Sequence, residues 1–202
     1  SYPAFPKLSS KSKASRITFS IGEIFEEKKR TVFRHEAGKG WQGDLRRPTV
    51  PGLLVYARVD GSFAVWDPYR LDESTGEVLS LIFTKEQIWH GLTQIHRGEP
   101  RSYSEGLLRD WVKWQNLDDS STLDLLFTIL NNLSPNDMGK LEVGPVQKVL
   151  YDARDIPTIR HPYGLTPLNY AAAGLKRIIA LAYFIVWSWK SHEELAVLTD
   201  NS

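Results

Sequence analysis

Residues 51–68 have the sequence PGLLVYARVDGSFAVWDP, and this stretch gives the strongest local indication of fold in the chain. Two runs rich in β-branched and aromatic residues, 53–59 and 62–66, flank the dipeptide Asp60-Gly61. Such a dipeptide between two strands is typical of a type I′ hairpin turn, in which both central residues have positive φ angles. A proline stands at each end, and proline cannot donate to a strand ladder. The stretch therefore predicts an antiparallel β-hairpin.

The segments on either side of this hairpin predict further strands. On the N-terminal side, Ile17, Phe19 and Ile21 alternate with polar residues, which favours a half-buried strand. Residues 31–33 are predicted to return beside it. On the C-terminal side, residues 78–83 have the sequence VLSLIF and form another strand candidate. The sheet is expected to be antiparallel.

Beyond residue 83 the apolar period changes from two to 3.6, which predicts helices. Thr84 is predicted to cap the first helix, and Gln87, three residues later, completes a capping box. Apolar stripes at helical spacing predict two more helices at residues 104–115 and 121–133, and these stripes are assigned to the core. A strand is expected at residues 146–151.

The final predicted helix, residues 174–194, follows three alanines and is apolar almost all round through its middle. Such a helix is expected to be buried. Small residues at a helix start allow close approach to its backbone, and the free N–H groups there attract anions. Lys176 and Arg177 add positive charge to the first turn, which opposes the helix dipole unless an anion binds. A core helix that simply begins with small residues also explains these features.

These elements predict an α+β fold, with an antiparallel β-hairpin sheet followed by a helical lobe that ends in a long buried helix. Residues 1–16, which mix Pro, Ser and Lys, are expected to be a flexible tail. Residues 17–83 are expected to form the β subdomain and residues 84–202 the mainly helical lobe. Residues 36–51 are rich in Gly, Pro and Arg, which predicts a loop.

Composition excludes several classes of protein. The net charge of +1 provides no strong field for nucleic acid or a membrane surface, although a local basic patch, and with it a nucleic acid partner, stays open. Without cysteine, the chain has neither a disulfide framework nor a cysteine-ligated metal site. The longest apolar run, residues 178–187, is shorter than the roughly 20 residues of a membrane span. We expect a cytoplasmic protein with no membrane partner.

Residues 172–177, AAGLKR, lie where ABC-type ATPases carry their Leu-Ser-Gly-Gly-Gln signature. They resemble more closely the Ser-Ala-Gly-Met-Arg-Arg version of bacterial AAA/ABC-type ATP-binding proteins with SMC-like heads. Residues 47–68 resemble the hairpin of that group, residues 110–115 its helix, and residues 152–164 the segment before its signature. The similarity covers most of residues 42–194.

In such ATPases, the signature of one subunit packs on the γ-phosphate of ATP held by another subunit. The resemblance thus implies ATP as a cofactor and assigns the phosphate contact to Ala172, Ala173 and Gly174, with Lys176 and Arg177 nearby. The family has a serine where this chain has Ala172. Only backbone donors are therefore expected to remain at the contact.

The sequence contains no Gly-x-x-x-x-Gly-Lys-Ser/Thr loop, and no apolar strand ending in Asp-Glu follows the last predicted helix. The groups that hold Mg²⁺ and activate water are therefore expected from a partner chain or from missing segments. We interpret the chain as part of an ATPase head that does not hydrolyse ATP alone. Its expected partner is a second copy or a complementary ATPase chain.

Two other interpretations stay open on the sequence. The seven tryptophans also suit a protein-interaction module without a nucleotide role, which loss of the signature serine favours. An unrelated small enzyme would require a pocket that joins Arg154, Asp155 and His161. The five histidines lack metal-binding spacing, so no metal site is predicted. Trp111 and Trp114 are better explained by packing than by stacking on nucleic acid bases.

Overall fold

The computed structural model describes residues 14–21, 29–36, 40–43, 52–71, 76, 78–117 and 120–200. The chain divides into two compact units, Ser1–Gly52 and Leu53–Ser202. The sequence-based division into a β subdomain and a helical lobe, at residue 83, falls inside the second unit. The predicted tail lies outside the described residues, except for its last three positions.

The first unit contains an antiparallel sheet in the order β1-β2-β3. Its strands are β1 (Ala14–Ile21), β2 (Lys29–Glu36) and β3 (Gly40–Gly43). Ile17 lies opposite Phe33, so the predicted return strand is confirmed. The third strand lies in the stretch predicted to be a loop. Its sequence GWQG shows no alternation of apolar and polar residues, and only its pairing with β2 identifies it as a strand.

The second unit begins with the predicted hairpin, which belongs to an antiparallel sheet in the order β4-β5-β6. The strands are β4 (Leu54–Ala57), β5 (Phe63–Leu71) and β6 (Val78–Phe83). The hairpin is confirmed, but the predicted type I′ turn is wrong, because Gly61 has a φ of 85° and Asp60 does not adopt positive φ. The Arg58 amide donates to the Ser62 carbonyl (2.9 Å) and the Gly61 amide to the Arg58 carbonyl (3.1 Å). The loop therefore has three residues with a bulge at the glycine.

Helices and short strands make up the rest of the second unit. The described residues contain four α-helices: α1 (Lys85–His90), α2 (Leu107–Gln115), α3 (Ser121–Leu133) and α4 (Ala173–Asp200). Each corresponds to a predicted helix, and the capping box is present, with Thr84 Oγ1 accepting from the Gln87 amide at 3.2 Å. The second helix begins three residues later than predicted, because Ser104 still belongs to a strand.

The described part of the region predicted to be mainly helical contains seven strands. They are β7 (Leu92–His96), β8 (Glu99–Ser104), β9 (Glu142–Val143), β10 (Gln147–Val149), β11 (Asp152–Ile156), β12 (Thr158–His161) and β13 (Gly164–Pro167). They form two hairpins, β7-β8 and β10-β11, and a small sheet in the order β13-β12-β9. The α+β class itself, with antiparallel strands and a long C-terminal helix, is confirmed.

The middle of α4 lies in the core of the second unit. Tyr183 and Phe184 are each 1% exposed. The Phe184 ring stacks on Phe63 of β5 (centroids 4.8 Å apart) and meets the edge of Phe83 of β6 (4.9 Å). These contacts pack the sheet against the helix, so the predicted burial of α4 is confirmed for its middle. Among the described residues, no helix has the length and apolarity needed to cross a membrane.

Candidate functional site

The first turn of α4 is open to solvent. Ala172, Ala173 and Gly174 are all exposed, and a Cβ added to Gly174 would meet no other atom within 4 Å. The Lys176 amide donates to the Ala172 carbonyl at 2.9 Å, so the amides before it have no intrahelical acceptor. The first turn carries no acidic side chain. The start of the helix therefore combines accessible backbone donors with a positive dipole end.

The chain reaches this turn through a short 3₁₀ segment, Leu168–Tyr170. Leu168 is fully buried, and its amide donates to the Pro157 carbonyl at 3.0 Å, which ties the segment to the start of β12. Ala171, 7% exposed, is extended with a φ of −61° and a ψ of 149°. The helix start is thus held by buried residues on its N-terminal side, while Ala172, Ala173 and Gly174 stay accessible.

Two basic side chains flank the helix start. Lys176 Nζ donates to the Asn169 carbonyl at 2.6 Å, and Arg177 Nη2 donates to the Arg58 carbonyl at 3.3 Å. Each cation therefore has an acceptor although it stands at the positive end of a helix. The contact with Arg58 also brings Arg177 to the tip of the β4-β5 hairpin.

The helix start, the hairpin tip and α1 enclose a cleft of about 500 Å³. Lys85, Lys176 and Arg177 contribute three positive charges and Asp60 one negative charge, which leaves a net charge of +2. Hydrogen bonds from the Ser62 hydroxyl (2.6 Å) and amide (3.0 Å) lower the pKa of Asp60, with a smaller contribution from Arg58. The carboxylate is thus engaged with its own turn, and the cleft favours an anion.

The inner walls of the cleft are apolar. Phe63 and Ile88 are almost fully buried, and Trp89 and Ala180 complete this side. An apolar wall beside fixed donors is the usual composition of a ligand pocket. The five residues that the resemblance assigned to phosphate contact therefore lie at one place, and all of them except Ala172 line the cleft.

The residues of the small-enzyme interpretation are not brought into one site. Arg154 Nη2 pairs with Asp152 Oδ2 at 2.7 Å, whereas Asp155 pairs with Lys148 at 2.8 Å. His161 Nε2 forms a hydrogen bond with the Thr166 hydroxyl at 2.8 Å. Because neighbouring residues of a strand face opposite sides, Arg154 and Asp155 diverge. Within the part of the chain that the structure describes, no three His, Asp or Glu residues form a group that could hold a metal ion.

A buried polar cluster was not predicted from the sequence. Tyr183 Oη donates to Asp110 Oδ2 at 2.6 Å and lies 3.3 Å from the Ser104 hydroxyl, and all three residues are at most 8% exposed. Burial raises the pKa of Asp110, and it raises that of Tyr183 well above the usual range. A signal was present in the sequence, because Asp110 falls on the same helical stripe as Leu107, Trp111 and Trp114.

The tryptophans are mainly packing residues. Trp111 is fully buried, with its ring centroid 5.3 Å from that of Phe127, and Trp187 is 8% exposed. Trp189, in contrast, is 50% exposed. The predicted preference for packing over base stacking agrees with the burial of Trp111.

Comparisons of the chain with protein-family models, with curated proteins and with solved structures found no match.

Proposed function

We propose that the chain is a nucleotide-engaging module of an ABC-type ATPase head, which presents the first turn of α4 to the γ-phosphate of ATP held by another polypeptide. The observation that supports this proposal most is the exposed helix start beside a cleft with a net charge of +2. Backbone amides at a helix start and nearby cations are a well-known combination for binding phosphate.

The roles follow from position. The amides of Ala173 and Gly174 donate to phosphate oxygens, and the small side chains allow the partner to approach. Lys176 and Arg177 exchange their carbonyl acceptors for phosphate when it arrives. Ala172 supplies no hydroxyl, so the contact is weaker than one with a signature serine. Mg²⁺ and the water-activating carboxylate come from the partner, which makes the isolated chain inactive in hydrolysis.

The partner is a second copy or a complementary ATPase chain. The outer face of the β4-β5-β6 sheet supports a polypeptide partner, because Leu54, Tyr56 and Ile82 on that face are 51%, 63% and 51% exposed. An antiparallel sheet with one solvated face normally alternates apolar and polar residues, and here both faces are apolar.

A titration with inorganic tripolyphosphate tests the phosphate contact directly. We expect saturable NMR shifts at the amides of Ala173 and Gly174, and about tenfold weaker binding in Arg177→Gln, because one charge-assisted contact is lost. Lys148→Gln is the matched control, since it removes an equal charge at a distant strand. Shifts that are absent, or weakened equally by both substitutions, would contradict the proposed contact.

Association with a phosphate-loop partner tests the whole function. We expect the chain and an ATPase chain that carries the phosphate loop to associate only with ATP, and Gly174→Leu to block this association. A Cβ at this exposed position meets no other atom within 4 Å, so the variant is expected to keep its melting temperature. A mixture that neither associates with ATP nor hydrolyses it would overturn the proposal.

The second candidate is a protein-interaction module without a nucleotide role. It is favoured by the apolar outer sheet face and by Trp189, which is half exposed beside a groove lined by Leu53, Val55 and Ile185. This candidate predicts stable association without nucleotide that Tyr56→Asp abolishes. The first proposal predicts no such association before ATP is added.

A further inference from the structure

A second pocket, of about 300 Å³, lies away from the phosphate cleft, between β8, α2 and the C-terminal half of α4. Three aromatic side chains line it, and its charged groups come from α2, α4 and the loop that joins β8 to α2. The residues that carry the argument are Tyr103, Glu105, Asp110, Lys113, Trp114 and Glu194. Because no residue is shared with the cleft at the start of α4, the pocket can be considered independently of the proposed function.

Asp110 forms the buried end of this pocket. Its side chain belongs to a residue only 8% exposed, and Tyr183 donates to its Oδ2 atom at 2.6 Å. Because the Tyr183 hydroxyl has only one hydrogen, the Ser104 hydroxyl donates to Tyr183 Oη, and Ser104 Oγ in turn accepts from the Gly106 amide at 3.1 Å. The hydrogen bonds therefore run in one direction, from the Gly106 amide through two hydroxyl groups to the Asp110 carboxylate. Among the described residues, Tyr183 is the one donor to Asp110, so Oδ1 retains its capacity to accept from a ligand.

The side chains that line the pocket favour a cation by a small margin. Glu105, Asp110 and Glu194 contribute three negative charges, and Lys113 and Lys190 two positive charges, which leaves a net charge of −1 for the lining; Arg70, which is not part of the lining, donates to the Ser191 hydroxyl on its wall. Lys190 is already paired with Glu193 at 3.0 Å, and Glu105 lies 3.8 Å from Arg109. Lys113 is thus the cation that competes with a ligand for Asp110, three residues away on the same helix.

The walls favour the same class of ligand. Trp114 and Tyr103 line the pocket, and the faces of their rings attract cations. The guanidinium of Arg70 already lies 5.9 Å from the centroid of the Tyr103 ring, so Trp114 is the ring that we assign to a ligand. A buried acceptor with aromatic walls is suited to a group that has a positive charge, donors and a flat or compact shape.

We propose that this pocket binds a small organic cation with an ammonium or guanidinium group, which donates to Asp110 and packs against Trp114. The pocket is at the small end of the range for ligand sites, so the ligand is a free small molecule rather than a folded partner.

NMR titration of the full chain with agmatine tests this proposal, with the indole N–H of Trp114 as the reporter. We expect saturable shifts with agmatine and n-butylammonium. We expect none with n-butanol, which is neutral, or with butyrate, which is an anion, although both match n-butylammonium in size. N-acetylarginine amide, which carries the same group on a peptide backbone, distinguishes a free cation from a basic side chain of a protein. Equal binding of the neutral or anionic compounds would overturn the proposal, and tighter binding of the arginine amide would overturn the assignment to a free ligand.

Three variants assign the binding to the named groups. Asp110→Asn keeps an acceptor for Tyr183 and is expected to weaken agmatine binding by about tenfold or more. Lys113→Gln removes the competing cation and is expected to strengthen binding by about threefold. Glu142→Gln, an equal change of charge on β9 outside the pocket, is expected to have no effect. Unchanged binding in Asp110→Asn, with its fold verified by the melting temperature, would refute the site.

Discussion

At the scale of single residues, His90 reports on the electrostatics at the end of α1. Its Nδ1 atom lies 3.0 Å from Arg154 Nη1, and Arg154 is held by Asp152. Burial lowers the pKa of His90, and the positive charge of Arg154 lowers it further. Arg154 in turn holds the pKa of Asp152 at about 2 through their hydrogen bond.

Substitution of Arg154 by methionine is expected to raise the pKa of His90 toward its ordinary value, because the repulsive charge is gone and Asp152 remains. A histidine whose pKa is lowered on folding contributes stability above its unfolded pKa of about 6.5, and this contribution is lost as the pH falls from that value through the lower pKa of the folded state. The variant should therefore lose less stability than the parent between neutral pH and about pH 5. An NMR titration of the His90 ring gives the midpoint, and a midpoint that stays or falls would contradict the expectation.

At the scale of elements, two glycines define how the β7-β8 hairpin joins the helices. Gly91 follows α1 and Gly106 precedes α2, with φ angles of 98° and 88°. A Cβ on Gly106 would lie 2.3 Å from the Gly91 amide nitrogen. The two backbones therefore approach more closely than any side chain allows.

Gly106→Ala and Gly98→Ala form a matched pair that distinguishes the cost of a steric clash from the cost of backbone strain. Both glycines have positive φ, 88° and 86°, but Gly98 has open space around its Cβ position. We expect Gly98→Ala to cost about 1 kcal/mol from strain alone, and Gly106→Ala to cost clearly more, because the Gly91 backbone must move. Urea unfolding measures both, and equal losses would show that the close approach does not matter.

The elements that the sequence predicts well are those with a strong local signal. The helices follow from apolar spacing and from the capping box at Thr84, and the β4-β5 hairpin from its two apolar runs. The β7-β8 hairpin lacked such a signal, since residues 92–104 are largely polar and exposed. Its turn depends on positive φ at Arg97 (53°) and Gly98, and arginine gives no indication of that conformation.

At the scale of the whole molecule, the second unit is expected to fold by itself. Every member of its large buried hydrophobic cluster lies between residues 63 and 187. A chain that starts at Leu53 should therefore unfold cooperatively, with a melting temperature close to that of the full chain. Thermal unfolding followed by circular dichroism measures this. A broad, non-cooperative transition would show that residues 1–52 are needed for the fold.

Long-range contacts explain why the candidate site was only partly predicted. The accessible start of α4 follows from its small residues and its two cations. The cleft requires Asp60 and Lys85 to reach the same place from positions about a hundred residues earlier, and local patterns carry no such information. The pocket around Asp110 likewise depends on Tyr183, 73 positions away along the chain.

The acceptors of Lys176 and Arg177 are main-chain oxygens, of Asn169 and Arg58, and this has a consequence for mutational tolerance. A main-chain oxygen persists whatever side chain its residue carries. Replacing the side chain of Asn169 or Arg58 therefore leaves the acceptors of both cations in place. The placement of these two cations is set by the path of the backbone, and sequences that differ at those two positions can share it.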